Sequence, residues 1–430
     1  MKKVFIIALL LIGGFAQAQN NTTNILLRHD NKPIDFTKVS EATIKEAVAI
    51  VMKSSDEKVK NIIAARPQTI SNILVAYDDL DYELAGLSMK IGLIQSTYSD
   101  DNIRKTAYEQ GEKLSVYGSS LGLNEPLYKA LKKFYTAKRS TLSKTQNKFL
   151  SDEIISFEKN GMKLIAADRK PLEALNIKLI ELGNAFDKNI AESKDSLVFT
   201  EIELKGIDAE TMNSWKRPNG KYVVYVNGPN TIKIGENADN SKTRKVFGLH
   251  YNNRAYPQNI AVLDSLLYYR NLYAKKLGFS SYASYALVTR MAAKPENVWT
   301  FENDLIKKLT PLVTDEVKTL KAFKNEISPT ESDTLYGSDF AYYSKKMLNT
   351  KYQLNKDEVK QYFEMNNTLA GMFKVYESLL DIQIKPVTNM PVWDAKVKTY
   401  EIWCEGKKAG SFYLDLFPRP NKYTHFACFG

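Results

Sequence analysis

Apolar side chains recur along the first half of this chain at alternating spacings of four and three. Ile73, Tyr77, Leu80, Leu84, Leu87, Ile91 and Ile94 keep that rhythm, which winds one apolar stripe along a long helix and predicts lengthwise packing against neighbours. Leu172, Leu175, Leu179, Leu182, Phe186 and Ile190 repeat it, with Pro171 suited to a first-turn position. Weaker amphipathic stretches lie around 41–53, 103–117 and 145–159. The pattern predicts an antiparallel helical array from about residue 40 to 200.

Beyond it the period changes twice. Val223 and Tyr225, followed by Gly228-Pro229-Asn230, predict a short strand and a turn, after which helical patterning resumes from 241 to 380. Three period-two runs then follow, Val397 to Trp403, Ser411 to Phe417 and Tyr423 to Phe429, separated by 405–410 and 418–422. They predict a small antiparallel meander. The fold class is therefore mostly α, with this β meander near the C-terminal end. Because chain ends are usually polar and solvated, the apolar Phe426-Ala427-Cys428-Phe429-Gly430 reads as an interrupted strand.

The first residues belong to a different category. Lys2 and Lys3 precede an apolar run from Val4 to Phe15, and Ala16-Gln17-Ala18 supplies small residues at a cleavage site. The run is shorter than the roughly 20 residues needed to span a bilayer, so residues 1–18 read as a cleavable signal peptide. A periplasmic or secreted address follows, with no membrane association after cleavage. Removing that segment lowers the net charge from +11 to +9, leaving 58 basic against 49 acidic side chains. These charges are interspersed along helical faces, with no basic block interleaved with aromatics, so no nucleic-acid partner is expected. Cys404 and Cys428 are the only cysteines. They fall in neighbouring predicted strands, and an oxidising compartment leaves a bridge between them open.

Catalytic motifs are scarce. His29, His250 and His425 are the only histidines and stand apart, whereas a zinc hydrolase most economically places two of them in H-E-x-x-H, with the Glu as general base. That motif is absent. There is no G-x-S-x-G elbow and no glycine-rich nucleotide loop. A Cys428 nucleophile activated by His425 fails on geometry, since strand period two sends residues three apart to opposite faces. Asp78, Asp79 and Asp81 fall on the solvent side of their helix.

The last strands carry a longer signal. Ser411-Phe412-Tyr413-Leu414-Asp415-Leu416-Phe417-Pro418-Arg419, Lys422-Tyr423, His425 and Ala427-Cys428 resemble the run FYLDLYPR-x-GKY-x-HAAC of the thimet oligopeptidase, oligopeptidase A and peptidyl-dipeptidase family. Upstream, Arg244, Arg254, Asn259, Leu263, Leu266, Arg270, Ala274, Leu277-Gly278-Phe279, Ala283 and Met291-Ala292 are similar to a helix pair of that family. Asp339 with Tyr342-Tyr343, then Tyr362-Phe363, Gly371 and Tyr376, are similar to its WD-x-x-YY … YFP … G stretch. Leu150 to Leu164, with the Lys159-Asn160-Gly161 turn, is similar to its RDFRRAG-x-L helix. This sequence has Ser338 where the family has Trp, Glu364 where it has Pro, and Asn421 where it has Gly.

The resemblance implies a helical array of the thimet oligopeptidase and neurolysin kind around a deep channel, and a zinc peptidase acting on oligopeptides. By that resemblance residues 19–235 form an N-terminal helical domain and 236–430 the first, incomplete part of the metallopeptidase domain. The meander lies just before the zinc-binding helix, which these residues do not include. No catalytic or metal residue is carried over. Tyr423 and His425 are the candidates for lining the channel, with a structural role the other reading of His425. The expectation is a monomeric chain that is inactive alone, zinc being bound in the family at positions outside it. A separately encoded C-terminal half is one way to complete it. The alternative is a non-catalytic peptide-binding protein. Endopeptidase cleavage and release of C-terminal dipeptides both stay open.

Overall fold

The computed structural model describes residues 24–28, 33–423 and 426–429. The expected signal peptide, His29 and His425 lie outside the described residues.

α1 (Glu41–Ala64) starts from a capping box, in which the Ser40 hydroxyl accepts the Thr43 N–H and the Thr43 hydroxyl accepts the Ser40 N–H. α2 (Ala76–Thr97) follows a π turn over Ile70–Val75. It buries Tyr77, Leu80, Leu87, Ile91 and Ile94, as its stripe requires. α3 (Asp101–Leu121) begins where the Asp100 carboxylate accepts the N–H groups of Asn102 and Ile103. These three helices pack on one another around Ile44, Val48, Leu87, Ile91, Ala107 and Leu114. α4 (Glu125–Lys138) and α5 (Lys144–Phe157) close a second core with Ile62, Tyr77, Leu131, Phe134, Leu150 and Phe157. α4 is absent from the expectation although Leu127, Ala130, Leu131 and Phe134 form a buried stripe at helical spacing.

The chain leaves α5 through a π turn in which Gly161 has φ +115°. A Cβ there would collide with Leu172, so glycine is required both by conformation and by space. α6 (Ala166–Ala191) then runs between α3 and α10 (Gln258–Lys276). It begins five residues before Pro171, which therefore sits in the second turn and not the first. So near the helix start, the proline forfeits only one backbone hydrogen bond.

β1 (Ser196–Phe199) and β2 (Tyr222–Tyr225), joined through α7 (Ala209–Trp215), pair antiparallel with Ser196 opposite Tyr225. The expected turn at Gly228-Pro229-Asn230 is instead the start of α8 (Gly228–Asn237). Asn227 accepts the Asn230 N–H, and Pro229 occupies a first-turn site that needs no donor.

α9 (Ser241–Asn252) precedes α10; α11 (Tyr282–Leu287), α12 (Pro295–Ile327), α13 (Phe340–Thr350), α14 (Lys356–Gln361) and α15 (Met365–Leu380) follow it. The meander is then β3 (Ile382–Pro386), β4 (Lys398–Cys404) and β5 (Lys407–Leu414), in that order and antiparallel, with a bulge at Ile402/Trp403. Its membership differs from the expectation. Ile382–Pro386 supplies the first strand, and residues 426–429 carry no strand because the chain after β5 folds back onto α2 and α3. Cys404 and Cys428 are exposed and unbridged. Among the described residues no helix is long and apolar enough to cross a membrane.

Candidate functional site

The residues that carry the family-like run are brought together at one joint. Tyr413 projects from β5 against Trp393 and Phe36, with ring centroids 5.2 Å and 5.6 Å away. Phe36 meets Trp393 edge-on at 4.9 Å, so the sheet shares a core with the first helices. On the other face Tyr400 and Phe412 stack at 5.2 Å, and Phe373 of α15 sits edge-on over Tyr400 at 4.9 Å.

Asp415, one residue past β5, is the hub of the polar part. Its carboxylate accepts from Trp393 Nε1 at 2.9 Å, from Arg419 Nη1 and Nη2 at 2.8 and 2.9 Å, and from Lys422 Nζ at 2.9 Å. Lys422 also donates to the carbonyls of Asp415 and Phe417. All three charged side chains are largely buried. Burial pushes the Asp415 pKa up, but the hydrogen bonds from Arg419, Trp393 and Lys422 outweigh it and hold the carboxyl below its ordinary range. Burial also pushes the Tyr413 hydroxyl up, to about 12.

This cluster caps a distant helix. The last carbonyls of an α-helix have no partner within it. Here Arg419 Nη2 donates to Thr97 O, the Tyr423 N–H to Ser96 O at 2.8 Å, and Asn421 Nδ2 to Ser99 O at 2.9 Å. Asn421 Nδ2 also reaches Asp101 Oδ1 at 3.0 Å, and Arg104 donates back to the Asn421 carbonyl. Asn421 has φ +66°, a left-handed conformation that Asn tolerates and Gly adopts freely. That accounts for the family-like Gly at this position. Tyr423, half exposed, emerges directly from the joint, so its backbone is fixed while its ring meets solvent. His425 lies outside the described residues.

The second family-like constellation is a buried ion pair. Arg244 of α9 and Asp339, just ahead of α13, meet at 2.6 Å, with both side chains almost wholly excluded from solvent. The guanidinium lies 4.1 Å from the Tyr342 ring centroid and donates to the carbonyls of Ala238 and Asp239. Tyr342 in turn donates to Asp239 at 2.9 Å. Gly278, with φ +84°, ends α10 at the Leu277-Gly278-Phe279 junction, where the Phe279 N–H closes on Ala274 O at 2.9 Å. Glu364, the residue in place of proline, caps α15 by accepting the Asn367 N–H.

One pairing escaped the sequence reading. His250 Nδ1 stands 2.7 Å from Asp195 Oδ2, 55 residues upstream, both partly exposed. No local spacing signals it, because Asp195 lies ahead of β1 and His250 near the end of α9. Asp78, Asp79 and Asp81 are exposed as expected. Among the described residues no three His, Cys, Asp or Glu side chains converge to hold a metal ion. The described residues therefore do not fit a zinc site. Both constellations fasten parts of the fold to one another: Asp415 holds Arg419 and Lys422 at the exit of the sheet, and Asp339 ties the start of α13 to Arg244 of α9.

The model of peptidase family M3 matches residues 236–430. The thimet-like oligopeptidase of Dictyostelium discoideum is 30% identical over 413 residues, covering 92% of this chain and 61% of that protein. The probable thimet oligopeptidase of Arabidopsis thaliana is 31% identical over 368 residues, covering 82% and 51%. Oligopeptidase A of Escherichia coli strain K12 is 29% identical over 421 residues, covering 93% and 61%. The chain thus spans between 51% and 61% of the length of these relatives. The Arg244 and Asp339 pair and the cluster of Asp415, Arg419 and Lys422 fall inside the matched residues, with the joint's partners Phe36 and Thr97 ahead of them, and the three relatives named above are oligopeptidases: this chain belongs to the thimet type of peptidase family M3.

Proposed function

We propose that these 430 residues are the helical shell and sheet of an exported enzyme that hydrolyses short oligopeptides, and that they do not cleave peptides by themselves. The observation that carries this reading is the joint around Asp415. The longest family-like run of the chain is spent on fastening the sheet to α2 and α3, and it delivers Tyr423 at the edge of that joint. Zinc, in this reading, is held by residues that are not among the 430, since neither H-E-x-x-H nor a ligand cluster among the described residues is available to hold it. The chain contributes confinement: a helical wall restricts access to flexible peptides, and Tyr423 borders the peptide's path. The leader at residues 1–18 sends the protein to the periplasm or beyond it.

The test is hydrolysis of internally quenched oligopeptides by the purified chain, alone and together with the part of Escherichia coli oligopeptidase A that lies outside the alignment. The expected result is no turnover and no stoichiometric zinc for the chain alone, with turnover only in the mixture. Chelator-sensitive cleavage by the chain alone would overturn the reading. Reading the coding DNA past codon 430 for H-E-x-x-H gives an independent check.

A further inference from the structure

α12 is covered along only part of its length. Viewed down the axis, Trp299, Ile306, Leu309, Val313, Leu320 and Phe323 share one stripe of about 120° width at the 3.6-residue period. At its C-terminal end the stripe is buried: Leu320 is 7% exposed and Phe323 1%, packed against Tyr342 and Tyr343 of α13. Toward the N-terminus the same stripe is open, with Trp299, Ile306, Leu309 and Val313 between 47% and 64% exposed. An amphipathic helix encodes a buried face along its whole length, and exposed apolar patches of this size mark interaction sites. Glu302 and Glu316 lie within the stripe, 14 residues or about 21 Å apart along the axis. Neither is in an ion pair among the described residues.

We propose that the open part of α12 is the docking surface for an amphipathic helix belonging to the portion of the peptidase that the relatives carry outside the aligned region. The proposal rests on the reading of this chain as one portion of such an enzyme. Two observations select that occupant. The open stripe continues an interface already formed with α13, so a helix laid in line with α13 extends existing packing. The relatives, of which this chain spans at most 61%, have further polypeptide to supply it. The occupant is specified chemically as a helix with an apolar face and two Lys or Arg residues about four turns apart, facing Glu302 and Glu316.

The experiment places a reporter cysteine, Leu309→Cys, in the full chain with Cys404→Ser and Cys428→Ser. Its rate of reaction with a thiol reagent is followed while the unaligned part of Escherichia coli oligopeptidase A is added, and sedimentation reports association. A control reporter, Lys318→Cys, sits on the opposite face. The expected result is a rate at position 309 lowered by about tenfold or more at saturation, an unchanged rate at 318, and weaker protection in a Glu302→Lys, Glu316→Lys variant. Association without protection at 309 overturns the docking surface alone. Absence of association, in the mixture or in a fused chain, overturns the enzyme-portion reading together with it. Protection that grows with the concentration of the chain alone assigns the stripe to a second copy and also overturns the proposal.

Discussion

The guanidinium of Arg419 donates a hydrogen bond to the carbonyl oxygen of Thr97, the last residue of α2, across 322 positions of the chain. The same side chain binds both oxygens of Asp415, so one residue joins the sheet's exit to the end of a helix in the first core. Removing it leaves a mostly buried carboxylate with Lys422 and Trp393 as its remaining donors. Arg419→Ala should destabilise the chain by about 3 kcal/mol, the range for breaking a buried pair from one side. Arg419→Lys should recover only part of that, because it cannot serve two oxygens and a carbonyl at once. Urea unfolding measures both, and a loss under about 0.5 kcal/mol for the alanine variant would show that the clamp is ornamental.

The Arg244 and Asp339 pair makes a prediction of a different form. Arg244→Met and Asp339→Asn should each cost about 3–5 kcal/mol, since each strands its partner away from water. The double variant should cost clearly less than the sum, and the coupling energy from the four-member cycle measures the interaction. Additive losses would mean that the two residues act separately.

Asn421 tests backbone conformation. At φ +66°, Asn421→Ala should cost about 1–2 kcal/mol from left-handed strain, on top of the lost contacts to Ser99 and Asp101. Asn421→Gly loses the same contacts without the strain and should be the milder change. Thermal unfolding of the pair orders them, and the reverse order would refute the strain account.

Two carboxylates shift in opposite directions with pH. Asp415 has its folded pKa lowered, so its stabilisation is present above the ordinary carboxylate range and is lost as pH falls through the folded value. Acid should therefore loosen the joint, and Asp415→Asn should be less stable at neutral pH and less sensitive to acid. Glu153, which accepts a hydrogen bond from Tyr77 at 2.9 Å, has its pKa raised, first by burial and further by Asp81 and Asp152, against the lowering effect of that hydrogen bond. Its charge opposes folding above the folded value. Glu153→Gln should stabilise the chain modestly at neutral pH, with the gain fading as pH falls toward the ordinary glutamate range. Unfolding curves between acid and neutral pH separate the two.

Legibility in the sequence followed the range of the interaction. The stripe from Ile73 to Ile94 is a local, repeated signal, and all of it but Leu84 is buried as read. The turn expected at Gly228-Pro229-Asn230 failed because glycine and proline also open helices once an Asn precedes them as a cap. Ile382–Pro386 is too short to declare its period, and becomes a strand only because β4 offers it an edge. Asp415, Arg419 and Lys422 were visible as a motif, yet nothing local told that Arg419 and its neighbours Asn421 and Tyr423 serve carbonyls at positions 97, 99 and 96. Asp195 and His250 left no trace at all, their spacing being set by the fold alone.

The joint also sets a timetable for synthesis. The carbonyls of Ser96 and Thr97 and the ring of Phe36 belong to the first helices to leave the ribosome, but their partners are encoded near residues 393–423. At 5–20 residues per second, the intervening 322 residues take roughly 15–60 s to make. During that interval the nascent helical core carries an uncapped helix end and an uncovered aromatic face, so early chaperone contact should concentrate on the segment around Phe36 and the end of α2.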